Sequence, residues 1–242
     1  MLIGWEFTAG MRDEPMRQLI AVLGVAGICL LTAGCSSGSN HGAKTSPTTT
    51  TKTAPPLAEN ALKGLLLSPE QVNPVMGATD MAVTKYRIAM SDDSATMEPK
   101  ECLAIDGSAQ AQVYAGSGFM AERDQTLQEG DNFTHFAEQA VVLFPSAKQA
   151  GAFFATSAQH WPACHQYTHI QSTSQWEVGT ISNTNSILST TASQLNASAP
   201  GWGCGRALAV RNNVIIDVNT CSVDPKNSAV DIANQIAAKV PT

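Results

Sequence analysis

Apolar and polar positions alternate with period two over many short stretches of this chain and follow a helical period over only a few. Alternation marks a half-buried strand, whereas recurrence at i, i+3 and i+4 marks one face of a helix. Residues 81–90 read as a strand with Ala82, Thr84, Tyr86, Ile88 and Met90 on one side. Further strands are expected over 119–127, 135–144, 175–180 and 186–191. Ser68-Pro69-Glu70 opens a short helix, with Ser68 as N-cap and proline at the first helical position. Ser146-Ala147-Lys148-Gln149 is a capping box. It starts a helix whose Ala150, Phe153, Phe154, Ser157 and Trp161 form a stripe, and Pro162 stops it. A last helix runs from Ser228 with Val230, Ala233, Ile236, Ala237 and Val240 inward. Strands outnumber helices and their connections suit antiparallel pairing. The fold class is α+β, one twisted antiparallel sheet with helices packed on it.

The strongest local pattern is a hairpin. Residues 203–210 and 214–221 flank Arg211-Asn212-Asn213, and asparagine tolerates positive φ, so Asn212-Asn213 suits a two-residue type I′ turn. That register pairs residues whose numbers sum to 425, which sets Cys204 directly opposite Cys221 in a non-hydrogen-bonded pair, where side chains are closest. Ala207, Ala209, Val214, Ile216 and Val218 share the core face. Arg206, Leu208, Asp217 and Asn219 share the other, more polar face, with Arg206 and Asp217 as diagonal neighbours. Such a pair is either a surface ion pair worth little or a charged pair lining a cleft.

The N-terminal region changes the picture of where this sheet resides. Residues 19–34 carry no charge, follow Arg12 and Arg17, and end in Leu31-Thr32-Ala33-Gly34-Cys35. A basic start, a short apolar run and small residues before a cut describe a secretory signal. The last five residues resemble a bacterial lipobox, although Thr32 stands where the strictest form has leucine. Residues 1–34 are read as a lipoprotein signal peptide, with Met1, Met11 and Met16 as alternative starts, and Cys35 as the lipidation site. An uncleaved single-span anchor is the competing reading, but the run is shorter than the roughly 20 residues a bilayer needs. Residues 35–62 read as the lipidated cysteine and a Ser/Thr/Pro-rich tether, too poor in apolar groups to fold. The folded domain is expected over 63–242 and at the extracytoplasmic face of the cell membrane. A formal net charge of −6 argues against a nucleic-acid partner.

The chain has six cysteines. Cys29 lies in the signal and Cys35 is taken by lipid, which leaves Cys102, Cys164, Cys204 and Cys221. An even set in an exported domain implies two disulfides. The hairpin register selects Cys204–Cys221, and the other bridge is then Cys102–Cys164. His160, Cys164, His165 and His169 cluster within ten residues, but Cys164 is needed for a disulfide, so no metal is assigned. No cofactor is implied and no catalytic group is assigned. Gly116-Ser117-Gly118 lacks the spacing of a nucleophile elbow. Trp161, Trp176 and Trp202 are either core anchors or stacking surfaces for sugars or lipids.

Long ordered stretches carry a family resemblance. They are Asp131-Asn132-Phe133-Thr134-His135-Phe136-Ala137-Glu138-Gln139-Ala140-Val141-Val142-Leu143-Phe144-Pro145-Ser146-Ala147, Ala152-Phe153-Phe154, Trp161, Cys164, Gly201-Trp202-Gly203-Cys204-Gly205-Arg206-Ala207-Leu208-Ala209-Val210-Arg211-Asn212-Asn213-Val214 and Ile232-Ala233-Asn234-Gln235-Ile236-Ala237. From about residue 65 onward the chain resembles the PknH-like extracellular sensor domain of mycobacterial transmembrane serine/threonine kinases and of lipoproteins that share it. The resemblance implies a twisted antiparallel sheet with flanking helices, two disulfides and a V-shaped cleft for a ligand. It does not extend to the kinase, because the chain has no Gly-rich loop, catalytic loop or metal-binding kinase motif.

Three functions follow as expectations. The first is a membrane-anchored, non-catalytic sensor whose cleft takes a small molecule, lipid or glycan, with Arg206, Asp217, Trp202 and Tyr114 as candidate ligand-binding residues. The second is an envelope module that acts through a protein partner and would show an exposed apolar patch. The third is a hydrolase, for which Ser117 and His135 are the first nucleophile–base pair to test.

Overall fold

The structure is a computed structural model and describes residues 54–242; the signal, Cys35 and most of the expected tether lie outside the described residues. The helical elements are α1 (Leu62–Leu65), α2 (Pro69–Met76), α3 (Leu103–Asp106), α4 (Ala111–Tyr114), α5 (Ala147–His160) and α6 (Ser228–Ala238). The strands are β1 (Ala82–Arg87), β2 (Met97–Glu98), β3 (Ala121–Gln128), β4 (Phe136–Leu143), β5 (Gln166–His169), β6 (Gln175–Val178), β7 (Ser182–Thr184), β8 (Ile187–Leu195), β9 (Trp202–Arg211) and β10 (Val214–Val223). They form one open sheet in the order β1-β3-β4-β10-β9-β8-β6-β5-β2, with β7 beside β8. Every pairing between these strands is antiparallel.

The hairpin register is as the sequence predicts, with Val214 opposite Arg211 and Cys221 opposite Cys204. The turn differs from type I′ in one respect: only Asn212 has positive φ, at 50°. Asn213 instead turns inward, fully buried. Its side-chain amide donates to the carbonyls of Phe144 and Leu57, and its Oδ1 accepts from Leu57 N at 2.7 Å. This bond corrects the expected domain boundary. The tether does not run to residue 62, because Leu57 is tied to the hairpin and Leu62 is buried in the core. β1 ends at Arg87 rather than at 90, and a register shift between Val83 and Lys85 interrupts its alternation. In α6 the inward residues are Ala229, Ile232, Ala233, Ile236 and Ala237, with Val230 at the margin of the core.

The sheet is covered on both faces. On one, α1, α2 and α6 pack on Val141, Ala207, Ala209, Val214, Ile216 and Val218. Two buried glutamines hold the α1–α2 link there: Gln139 accepts from Leu67 N at 2.7 Å, and Gln139 and Gln125 both donate to its carbonyl. The opposite face, expected to be polar, carries a second core of Val142, Phe144, Leu188, Leu208 and Ile215 under Leu103, Ile105, Tyr114 and Trp161. Both disulfides lie in this layer: Cys102–Cys164 joins the segments flanking α3 and α5, and Cys204–Cys221 bridges β9 and β10. In the chain-entropy account, loops with sequence separations of 62 and 17 residues make the bridges worth about 3–4 kcal/mol each.

Arg206 and Asp217 are therefore a buried pair, 3% and 2% exposed, and not a surface one. Arg206 Nη1 lies 2.5 Å from Asp217 Oδ1 and donates to the Val218 carbonyl, while Nη2 donates to the Gly107 carbonyl. The guanidinium stacks over Trp161, 5.3 Å from the ring centre. Asp217 Oδ2 accepts from Ala109 N at 2.9 Å and from the Tyr114 hydroxyl at 2.8 Å. Burial first, and the Asp217 charge second, push the Tyr114 phenol well above its ordinary range, so it stays a donor. Beside this network Glu122 and Asp124 are buried on β3. Burial, then the neighbouring Asp124 carboxyl, push Glu122 up to about 8.

Two outcomes follow for stability. Removing one member of a buried pair strands the other charge. Asp217→Asn is expected to cost about 3 kcal/mol or more in urea unfolding, and Arg206→Met with Asp217→Leu less than that single change. A carboxyl with a raised folded pKa binds its proton on folding, so stability falls as pH rises from the ordinary 4.5 through 8. Glu122→Gln should therefore gain about 1–3 kcal/mol over the wild type between pH 5 and pH 9 in the same assay.

Candidate functional site

A cleft of about 320 Å³ opens on the second face of the sheet. Its floor is the Cys204–Cys221 bridge with Asn219 beside it. One wall is aromatic: Phe136 begins β4 opposite Cys221, Trp202 begins β9 opposite Val223, and Phe133 comes from the β3–β4 loop. The chain reaches Trp202 through Gly201, whose φ of +84° suits glycine. Gly203 allows β8 to approach, since a Cβ there would lie 2.9 Å from the Ala192 carbonyl oxygen. The far wall is the β5–β6 hairpin, where Tyr167 and Trp176 are a cross-strand pair with parallel rings 5.9 Å apart.

The third wall is the segment 106–110, and the sheet holds it by its backbone. Asn219 donates to the Asp106 carbonyl, Arg206 to the Gly107 carbonyl, and Ala109 N donates to Asp217. Ser108 donates to Glu138 Oε2 at 2.8 Å, and Arg87 reaches Glu138 Oε1 at 2.6 Å. Gln110 Nε2 donates to Asp93 Oδ2 at 2.7 Å. His169 Nε2 lies 2.7 Å from Asp106 Oδ1, which ties the β5 wall to α3.

Of the sequence-selected ligand residues, Trp202 lines the cleft. Arg206, Asp217 and Tyr114 lie beneath it: Arg206 and Asp217 bind the backbone of the 106–110 segment, and the Tyr114 hydroxyl donates to Asp217. These three are buried and are not among the residues that line this cleft. The lining residues the sequence missed are Asp106, Glu138 and His169 with Phe133 and Phe136. Glu138, Phe133 and Phe136 stand within the motif stretch 131–147, so the motif marked the site without marking its faces. Trp161 is a core residue, 2% exposed, and Trp176 is nearly so.

The other chemistry does not assemble. Cys164 is in a disulfide and His169 is bound to Asp106, which dissolves the His/Cys cluster as a ligand set. Among the described residues no three such side chains are placed to hold a metal ion. Ser117 and His135 sit at opposite ends of the β3–β4 ladder, whose end pairs Ala121–Leu143 and Gln128–Phe136 are seven steps apart, about 23 Å. His135 is paired with Glu129, which its bonds hold down at about 2 against the effect of burial. A wider groove of about 960 Å³ lies between α3, α4 and α5, lined mostly by Leu103, Ala104, Val113 and exposed polar groups. It lacks the converging aromatic and acidic groups of the cleft.

The His169–Asp106 bond predicts a pH dependence. The bond to Asp106 raises His169 above its ordinary 6.5, with burial opposing. A raised histidine stabilises fully below pH 6.5 and loses that contribution as pH rises through its folded value. His169→Gln should cost about 0.5–1 kcal/mol at pH 5.5 and almost nothing at pH 8.5, read by thermal unfolding at both.

Known proteins place this fold in a family. A family model described as PknH-like extracellular domain matches residues 57–239. The chain is 36% identical over 190 residues to the serine/threonine-protein kinase PknH of Mycobacterium bovis, and equally to that of Mycobacterium tuberculosis. The match covers 76% of this chain but 32% and 30% of those kinases, so the chain spans about a third of their length. The crystal structure of the extracellular domain of PknH from Mycobacterium tuberculosis superposes with a TM-score of 0.71 at 36% identity, covering 76% of this chain and 97% of that one. A family-model match over residues 57–239 and a superposition at 36% identity that covers 97% of the solved domain lead to one conclusion: the chain belongs to the PknH-like extracellular domain family.

Proposed function

We propose that this chain is a non-catalytic sensor module, held at the extracytoplasmic face of the cell membrane by a lipid on Cys35, whose cleft binds a small-molecule, lipid or glycan ligand. The observation that carries the reading is the cleft itself. Aromatic faces and carboxylates converge there, and its polar side chains are held by protein partners rather than aimed at one another as nucleophile and base. Trp202 is the ligand contact the reading assigns from the sequence set, and Arg206, Asp217 and Tyr114 support the wall opposite it. Membership in an extracellular domain family, the lipobox-like Leu31-Thr32-Ala33-Gly34-Cys35 and the Thr/Pro-rich stretch after it support the anchored placement. The kinase activity of the longer relatives is not part of the reading, because the sequence carries none of its motifs.

Two experiments test the two halves. In an actinobacterial host fed an alkyne fatty acid, the wild type is expected to label and to fractionate with membranes, and Cys35→Ser to lose both; label that survives the change overturns the anchor. Native mass spectrometry of the processed chain is expected to show extra mass that is released on denaturation and lost in Trp202→Ala. A bare mass across a panel of envelope lipids and glycans, together with a co-purifying protein, would replace the ligand with a protein partner.

A further inference from the structure

The aromatic wall of the cleft is not flat. Phe133 meets Trp202 at 46° with centroids 6.4 Å apart and Phe136 at 43° with centroids 6.0 Å apart. A sugar ring stacks on a flat exposed face, whereas rings tilted toward one another form a corner that presents several π-faces to one compact group. Phe133 is 37% exposed in this corner, an uncommon position for a phenylalanine with no core to fill.

The charges around the corner have one sign. Asp93, Asp106 and Glu138 line the cleft, and no lysine or arginine does. The neighbouring cations are Arg87, which is spent on Glu138 and Asp124, and His169, which faces Asp106. Asp93 is exposed and Asp106 partly so, which leaves carboxylate lone pairs open to the cleft. Arg206 is turned away, bound to Asp217 and to backbone carbonyls. An anion entering here would meet carboxylates and π-faces, both repulsive. A cation would meet ring faces that attract it and carboxylates that neutralise it.

Resting on the reading of the cleft as a ligand site, we propose that it selects an organic cation: a ligand whose ammonium or guanidinium head sits in the Phe133–Phe136–Trp202 corner, facing Asp93 and Asp106. The apolar stem of such a ligand would lie along the Tyr167–Trp176 wall.

The test uses the full processed chain in an uncharged polyoxyethylene detergent, with tryptophan fluorescence and calorimetry as readouts. The probes are choline, cadaverine and agmatine, which carry quaternary, primary and guanidinium heads. Controls are 3,3-dimethylbutan-1-ol (the uncharged carbon isostere of choline), glucose and acetate. At least one cation is expected to bind saturably, with the isostere about tenfold weaker or worse. Phe133→Ala and Asp93→Asn, both at exposed positions, should each weaken it about three- to tenfold without lowering the melting temperature. Equal binding of the isostere and choline overturns the charge preference, and silence from all three cations overturns the proposal. Binding of glucose or acetate that depends on Trp202 overturns the cation and leaves the cleft reading standing. Released native ligand whose binding is indifferent to Trp202→Ala, Phe133→Ala and Asp93→Asn alike removes the cleft itself.

Discussion

The buried ion pair between Arg206 and Asp217 fixes the segment on which the cleft depends. Each is placed by a central strand, and neither has access to water. Alone, either charge would be costly to bury; together they have spare hydrogen-bonding capacity, and it is directed at the 106–110 backbone. That segment has little apolar surface of its own and includes Ala109 at a φ of 45°. The carbonyl and amide contacts from Arg206, Asp217 and Asn219, together with the Ser108–Glu138 and Gln110–Asp93 bonds, hold it at one distance from the aromatic wall. A buried ion pair is weak evidence of net stability; here its consequence is position, because it converts a loop into a wall.

The same device recurs on a smaller scale elsewhere. Asn213 secures the incoming chain at Leu57, and Gln139 with Gln125 secures Leu67. In each case a polar side chain on a buried strand reaches the backbone of an irregular segment. An open sheet with cores on both faces needs such contacts, since apolar packing alone is non-directional and would not set where short connecting segments come to rest. The disulfides act in the same layer, Cys204–Cys221 as the cleft floor and Cys102–Cys164 as a brace between the segments flanking α3 and α5. A floor cross-linked in this way, under walls fixed by hydrogen bonds, is pre-organised, which lowers the ordering cost of binding.

Pre-organisation also bears on how the domain differs from its kinase relatives. The match covers 76% of this chain and 32% and 30% of those kinases, and what it shares with them is the extracellular domain. His169 offers a titratable link between walls, joining the β5 edge to α3 through Asp106, which raises it above its ordinary value.

Periodicity and turn chemistry by themselves determined most of the longer strands, the antiparallel α+β class, the hairpin register and the Cys204–Cys221 pair, which left Cys102 for Cys164, because these follow from local spacing and from which side chains a two-residue turn sets opposite each other. Motif content determined the family. Alternation could not say that both faces of the sheet are covered: the side bearing Arg206, Asp217 and Asn219 reads as solvent-facing, since a run of polar residues looks the same whether water or a buried segment satisfies it. Short pieces such as β2, β5, α3 and α4 have too few residues to show a period, and they supply most of the second layer. Only the tertiary structure decided that Trp202 faces the cleft while Arg206, Asp217 and Tyr114 support it from below. The physical reason is that a charge pair's role depends on its partners, and those partners, the backbone of residues 107 and 109 and the ring of Trp161, are brought to it from distant parts of the chain.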